Sequence, residues 1–530
     1  MDRLDVVVVG AGFSGLYLLH RLREAGFSAR AIEAGDDLGG TWYWNRYPGA
    51  RCDVESLDYC YAFSDELLRE WHWKERYSTQ PEILAYLRHV AERFDLRRDI
   101  VFGTRVTGAT WNEKDSRWEI ETDRGTKVSA SWLIMATGCL SVPRAPEFSD
   151  LDCYEGRIYY TARWPHEGVD FTGLDVAVIG TGSSGIQSIP VIARQAKHLT
   201  VFQRTPNFSV PAFNAPMDPE LERASMADLA ARRDALRWSD SGYRIVRNLE
   251  RLHGKPKDEI EREMERRWAE GGFNLLNVYD GVTSDPATNE VVADFIRRKI
   301  RATVKDPKVA EKLCPTNHPF GTKRPCVDIG YFETFNRENV SLIDINETPI
   351  EAFTPTGLRT TDASFDVDAV VFATGFDAMT GALLAVDIKG KRGLSLRDKW
   401  EHGPRSYLGL MVAGFPNLFT ITGPGSPSVL TNMVTSIEQH VDWVTDCLSH
   451  LRDRQQTQIE ATESAEDAWV DRVNREADQT LYPQANSWYV GANVPGKPRV
   501  FMPYVGGADV YRKLCDEVAE KNYEGFATGR

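Results

Sequence analysis

The chain has 530 residues, 42% of them apolar and 26% charged, with a formal net charge of −14. That balance excludes a disordered or collagen-like chain, and at roughly 150 residues per domain it leaves room for about three domains. An acidic surface argues against nucleic acid as a partner, since that needs clustered Lys and Arg, but a few local cations could still hold an anionic cofactor. Eight cysteines are too few for a disulfide scaffold, and none form CxxC. Cys52 and Cys60 lie too far apart for the short dithiol of a disulfide reductase. The start, MDRLDVVVVG, lacks the apolar region of a signal peptide. No run approaches the roughly 18 apolar residues of a membrane span. A reduced, cytoplasmic protein with no membrane partner and no metal is expected, and a monomer.

In chain order, residues 5–15 (DVVVVGAGFSG) read as a strand buried on both faces, a glycine turn and a helix. The next strand, SARAIEAG, ends at Glu33. Residues 107–138 read as a small antiparallel meander, broken by charged turns at 113–116 and 123–126 and ending in an apolar strand at 132–136. Residues 175–185 (DVAVIGTGSSG) repeat the first pattern, and their following strand, LTVFQRTP, carries Arg204 where the first carries an acid. From 216 to 312 the chain is charged, helix-favouring and poor in β-branched residues. Mixed-sign charge there favours solvated faces over membrane helices. An apolar strand returns at 369–375 (AVVFATG), and strands and helices mix from there to the end.

The implied fold class is α/β, with two Rossmann-like dinucleotide-binding domains and a helical insertion. Residues 1–143 and 370–530 form the first domain, 152–215 and 313–369 the second, and 216–312 the insertion. In the first turn Gly10 allows the bend, Gly12 lets a pyrophosphate approach the backbone, and Gly15 lets helix and strand pack closely. The helix N-terminus faces the phosphates, and Glu33 would accept from a ribose diol, so this site takes FAD or NAD. The second turn has Gly180, Gly182 and Gly185, and Arg204 follows Gly180 by 24 residues. A guanidinium can hold a 2′-phosphate that a carboxylate would repel, with Lys323 as a second cation, so NADPH is expected over NADH.

Residues 39–56, GGTWYWNRYPGARCDVES, discriminate among flavoproteins. Together with STQPEIL, GTGSSGIQ, VFQRTP, FGTKRP, VFATGFD, GPGSPS and SWYVGANVPGKPRVFM, they make the chain resemble the type I Baeyer–Villiger monooxygenases, particularly the phenylacetone and steroid monooxygenase branch. The resemblance covers nearly the whole chain. It implies FAD in the first domain, NADPH in the second, and a ketone and O2 as substrates. A flavin peroxide, kept alive by bound NADP, would attack the carbonyl and yield an ester or lactone.

Because the peroxide and its adduct are anions, a fixed cation should lower the barrier. The resemblance assigns that role to Arg324 and the role of its orienting partner to Asp53, which also falls among the FAD contacts. Ser14, Thr41, Trp42, Tyr43, Trp44, Tyr59 and Val106 match other FAD contacts, and Gln80 and Met433 match positions near the isoalloxazine, Gln80 on the substrate side. Arg51, Thr181, Ser183, Ser184, Gln187 and Thr205 match NADP contacts, with Arg324 beside them. Trp488 matches a loop tryptophan that folds over the nicotinamide. Ser428, Val429 and Leu430 lie in a matched pocket loop.

One segment departs from the family pattern of Phe-x-Gly-xxx-His-xxx-Trp. Here Gly156 and Trp164 stand, while Tyr154 replaces Phe and Tyr160 replaces His. A tyrosine hydroxyl can still donate a hydrogen bond, so the segment is expected to keep its part in domain motion. Two other readings remain open at this stage: a flavin monooxygenase acting on sulfides or amines, and a non-catalytic FAD/NADPH redox sensor.

Overall fold

A computed structural model describes residues 2–144 and 146–529. The first β-branched run forms β1 (Asp2–Val9), whose Val6, Val7 and Val8 are fully buried. It is followed by β2 (Ala29–Ile32), β3 (Ile100–Val101), β4 (Val106–Asn112), β5 (Arg117–Thr122) and β6 (Lys127–Met135). β1 runs parallel to β2 on one side and β6 on the other. The expected meander is β4–β5–β6, and it extends this same sheet rather than standing apart. Asp387–Lys389 and Leu418–Thr420 return late in the chain to pair with β4 and β6, completing eight strands.

The second sheet has five strands, all parallel: Val340–Asp344, then β9 (His198–Gln203), β8 (Asp175–Ile179), Ala369–Phe372 and β7 (Arg157–Tyr160). Two points correct the sequence reading. The strand Ala369–Phe372 lies between β8 and β7, so the chain leaves this sheet after residue 372 and not at 370. β7 falls in the fingerprint segment, for which the sequence reading assigns no strand. Its Ile158, Tyr159 and Tyr160 favour a strand, and they pair in parallel with Val370, Val371 and Phe372.

The glycine turns are built alike. Gly10 has φ +105°, costly for any residue with a side chain, and its N–H reaches Ile32 O at 2.9 Å. A Cβ on Gly15 would lie 2.0 Å from Gly10 O, so helix Phe13–Glu24 can rest on β1 only without one. Gly180, at φ +114°, and Gly185, whose Cβ would lie 2.2 Å from Gly180 O, repeat the arrangement under helix Ser183–Gln195.

Between β9 and Val340–Asp344 the chain forms helices Pro219–Ala227, Leu229–Arg237, Lys257–Glu270, Pro286–Thr303 and Pro307–Leu313. Three of them start at Asp-Pro: the carboxylates of Asp218, Asp285 and Asp306 accept from backbone N–H groups of the first turn, and proline sits where no donor is needed. The roots of this insertion, Ser209–Pro211 and Cys326–Asp328, pair in parallel. Its body is fastened to the other sheet's side. Arg232 donates to Leu57 O, Arg244 Nε donates to Asp58 Oδ1 at 2.5 Å, and Asn432 Nδ2 donates to Asp58 O at 2.6 Å and Gly242 O at 3.2 Å. Among the described residues no helix is long and apolar enough to cross a membrane.

His440, on helix Met433–Asp453, locks the end of the late strand. Its Nδ1 accepts from Thr422 N–H at 2.9 Å, and its Nε2 lies 2.9 Å from the Tyr511 hydroxyl. Burial, aided by the nearby Arg512, pushes its pKa from 6.5 down to about 3. The unfolded chain therefore takes up a proton that the fold refuses, so this site's contribution is complete above pH 6.5 and is lost as pH falls toward 3. Denaturant midpoints measured from about pH 6.5 down to about pH 4 should fall more steeply for the parent than for His440→Gln.

Candidate active site

The two glycine turns open onto one cavity of about 1250 Å³. On the first side its wall includes Gly10, Gly12, Ser14 and Glu33. Glu33, directly after β2, accepts from Ala11 N–H and Gly35 N–H, each at 2.7 Å, through different oxygens. Burial raises its carboxyl pKa against the pull of these donors, and lone pairs remain for a diol. Thr41, Trp42 and Trp44, from helix Thr41–Trp44, continue the wall with Tyr59, Val106 and Met433. Trp42 Nε1 donates to the Tyr59 hydroxyl at 3.1 Å. Gly15, Gly185 and Tyr43 are buried behind the wall and support it.

On the second side, Gly180, Thr181, Gly182, Ser183 and Ser184 line the cavity. Thr181 Oγ1 donates to Thr205 O at 3.0 Å. Gln187 bridges the two sides, accepting from the Tyr47 hydroxyl at 2.8 Å and donating to Arg51 O at 3.1 Å. The Arg51 guanidinium is already engaged, with Glu75 and with Tyr77 O, both at 3.0 Å. Arg204 and Lys323 differ. Both line the cavity, and among the described residues neither has a carboxylate within ion-pair distance. Burial lowers the Lys323 pKa and the neighbouring charge of Arg204 lowers it further, as expected for two cations waiting for one anion.

Arg324 stands in the wall where the two sides meet. Its Nε donates to Asp53 Oδ2 at 2.5 Å and its Nη2 to Asp53 Oδ1 at 3.0 Å, a two-pronged pair between residues 271 positions apart. Nη2 also reaches the Tyr243 hydroxyl at 3.1 Å, and Nη1 reaches Val429 O at 2.7 Å. The guanidinium carbon lies 4.8 Å from the Phe273 ring centroid. Burial alone would lower the Arg324 pKa, but the Asp53 carboxylate and Tyr243 more than reverse this, so it stays charged. Of five N–H groups, four have protein acceptors and one on Nη1 is left.

Residues 7–224 match a family model described as pyridine nucleotide-disulphide oxidoreductase. A Baeyer–Villiger monooxygenase of Pseudooceanicola batsensis is 43% identical, over 99% of this chain and 96% of its own length. A cyclohexanone 1,2-monooxygenase of Acinetobacter sp. is 39% identical over 98% and 96%. A solved structure of oxidised steroid monooxygenase bound to NADP superposes with TM-score 0.96 at 52% identity, covering 100% of both chains. The chain belongs to the Baeyer–Villiger monooxygenases.

In this Baeyer–Villiger monooxygenase the fingerprint segment lines the cavity through Ala162 and Arg163, while Tyr154, Gly156, Tyr160 and Trp164 support the site from behind. The Tyr154 hydroxyl donates to Val367 O at 2.8 Å, and a Cβ on Gly156 would lie 2.1 Å from that hydroxyl, which explains the glycine. The Tyr160 ring stacks on Phe372, centroids 5.4 Å apart. Contrary to expectation, its hydroxyl has no hydrogen-bond acceptor among the described residues, and the ring stacking is the contact it makes. Trp164 is buried against Tyr159 and Phe171, and the neighbouring His166 meets Tyr43 edge-on at 5.2 Å. Trp488 is half-buried in the cavity wall, its ring 4.3 Å from that of Tyr489.

Of the expected pocket residues, Val429 lines the cavity, whereas Gln80, Ser428 and Leu430 do not. The Gln80 amide donates to Trp42 O at 2.5 Å, and the Ser428 hydroxyl is buried toward Met379. Tyr243 and Phe273, both from the insertion, escaped sequence reading. No spacing signals them, because they meet Arg324 only through the insertion's docking.

Proposed function

We propose that FAD lies on the turn of residues 10–15 and NADPH on the turn of residues 180–185, and that this monooxygenase inserts one oxygen atom of O2 beside a ketone carbonyl to give an ester or lactone. The activities for which its relatives are named support that reaction class. The residues present suit both groups. A Cβ on Gly182 would project into open space ahead of helix Ser183–Gln195, leaving room for a pyrophosphate, and Arg204 with Lys323 offers an unneutralised pair for a 2′-phosphate. When bound, NADPH supplies the electrons and FAD the oxygen-transferring chemistry.

The chain's own contribution is electrostatic and steric. Arg324 offers its remaining Nη1 N–H to negative charge developing on oxygen, from a setting where that interaction is strong. Asp53 fixes the plane of the guanidinium, and the Val429 carbonyl fixes its far end. Trp488 narrows the cavity and helps exclude water. The observation that carries this reading is the two-pronged Arg324–Asp53 pair at 2.5 and 3.0 Å between the two turns. We take the working unit to be a monomer and its setting to be the cytoplasm, where eight unpaired cysteines persist.

A panel of ketones and thioethers, supplied with NADPH and O2, tests the proposal by product identification. Ester or lactone should appear with ketones, with NADPH use rising when ketone is present. Sulfoxide alone would favour oxygenation of soft nucleophiles, and NADPH use without any oxygenated product would favour a redox sensor.

A further inference from the structure

The backbone passes between the two sheets in two segments that lie side by side. Pro143 and Phe376 form an antiparallel bridge, Arg144 N–H reaches Gly375 O, and Asp377 N–H reaches Val142 O, the last two at 2.9 Å. A third segment is pinned onto this crossing. Asn493 Nδ2 donates to Phe376 O at 2.6 Å, and Lys497 Nζ donates to Asp377 Oδ1 at 2.5 Å and to Ala378 O at 2.7 Å. Among the described residues, segment 491–498 makes no other hydrogen bond to residues outside 485–502. It bends at Gly491 and Gly496, with φ +72° and +74°, and its Pro495 and Gly496 are exposed.

A segment with so few attachments belongs to the least stable part of a fold, so the strongest of them decides where it rests. Lys497 is that attachment. Its side chain is only 10% exposed, its charge meets a carboxylate, and its second donor is taken by a carbonyl. Trp488 and Asn493, on either side of the Gly491 bend, line the cofactor cavity, and Asn493 Oδ1 is buried without a protein partner.

We propose that Lys497, paired with Asp377, is a positioning residue that holds Trp488 and Asn493 against the nicotinamide cofactor and ties that placement to the crossing between the sheets. This rests on the reading that NADPH occupies the second turn. Lys497→Met keeps the apolar stem and removes the donors, Asp377→Asn removes the charge with little change of shape, and Lys497→Arg restores a cation.

The test uses oxidised, FAD-loaded enzyme and NADP+, without turnover. Binding of NADP+ by the parent, with slowed amide exchange in residues 488–500, is expected, and failure of the parent to bind would overturn the cofactor reading itself. Given parental binding, Lys497→Met and Asp377→Asn should each raise the NADP+ dissociation constant about tenfold and abolish the slowed exchange. Lys497→Arg should recover most of both. KM for NADPH should rise while kcat for NADPH oxidation changes little, a split that loss of fold would not produce. Should Lys497→Met fail to retain FAD, Asp377→Asn carries the same comparison. Parental affinity and parental exchange in the variants would overturn the latch while leaving the cofactor reading intact.

Discussion

Arg324→Ala is expected to keep its FAD and to lose ester formation by about a thousandfold or more in turnover, beyond the range for removing a single neutral oxyanion donor. Two effects add. The cation that faces developing negative charge is gone, and Asp53, no longer paired, leaves a carboxylate beside the same charge. FAD should remain because Arg324 touches none of the residues 10–15 that form the first turn. Arg324→Lys separates charge from shape: an ammonium cannot engage both oxygens of Asp53 while reaching Val429 O, so it should recover only part of the loss. Product analysis and flavin absorbance, read on the same preparations, check both halves. Ester formation near the parental rate in the alanine variant would refute the assignment.

Removal of the phosphate-facing cations should give the second largest change. Arg204→Ala is expected to raise KM for NADPH by about tenfold to a hundredfold, the range for losing a charge-assisted hydrogen bond, and to leave KM for NADH nearly unchanged. The two cations are coupled. With Arg204 removed, the neighbouring charge that lowers the Lys323 pKa is gone, so Lys323 alone holds an anion better than it does in company. The double variant with Lys323→Ala should therefore lose more than the sum of the single variants. Steady-state kinetics with both nucleotides decide the matter, and equal rises for NADPH and NADH would exclude a phosphate role for Arg204.

How much of this was legible in advance follows from how local each signal is. The strand, glycine turn and helix at residues 5–15 and 175–185 are short-range patterns whose meaning lies in their own backbone, and Glu33 and Arg204 are placed by the strand that follows each turn. The meander could be read, but its membership in the eight-stranded sheet could not, because β1 and β6 meet across more than a hundred residues. The Arg324–Asp53 pair spans 271 positions and was reached only through a family resemblance. Val429 contributes through its carbonyl, a group every residue possesses, so its side chain could not mark it as a partner of Arg324. Tyr243 and Phe273 depend on how the insertion docks, and the salt bridges that decide it, such as Arg244 with Asp58, look in the sequence like ordinary surface charge. The departure at Tyr160 is visible in the sequence itself, but not that its ring, rather than its hydroxyl, makes the contact with Phe372.

The stitching of the insertion has a mechanical corollary. Its two roots belong to the second sheet's side, while its body is anchored on the first through Arg232, Arg244 and Asn432. Arg324 stands two residues before the returning root, Cys326–Asp328, with its acceptors drawn from Asp53, Val429 and Tyr243. Sliding one half of the molecule past the other must therefore either drag that root or strip the guanidinium of its acceptors. The charge is correctly aimed only when the halves are in register, so alignment of the whole protein and readiness for oxygen transfer become a single condition.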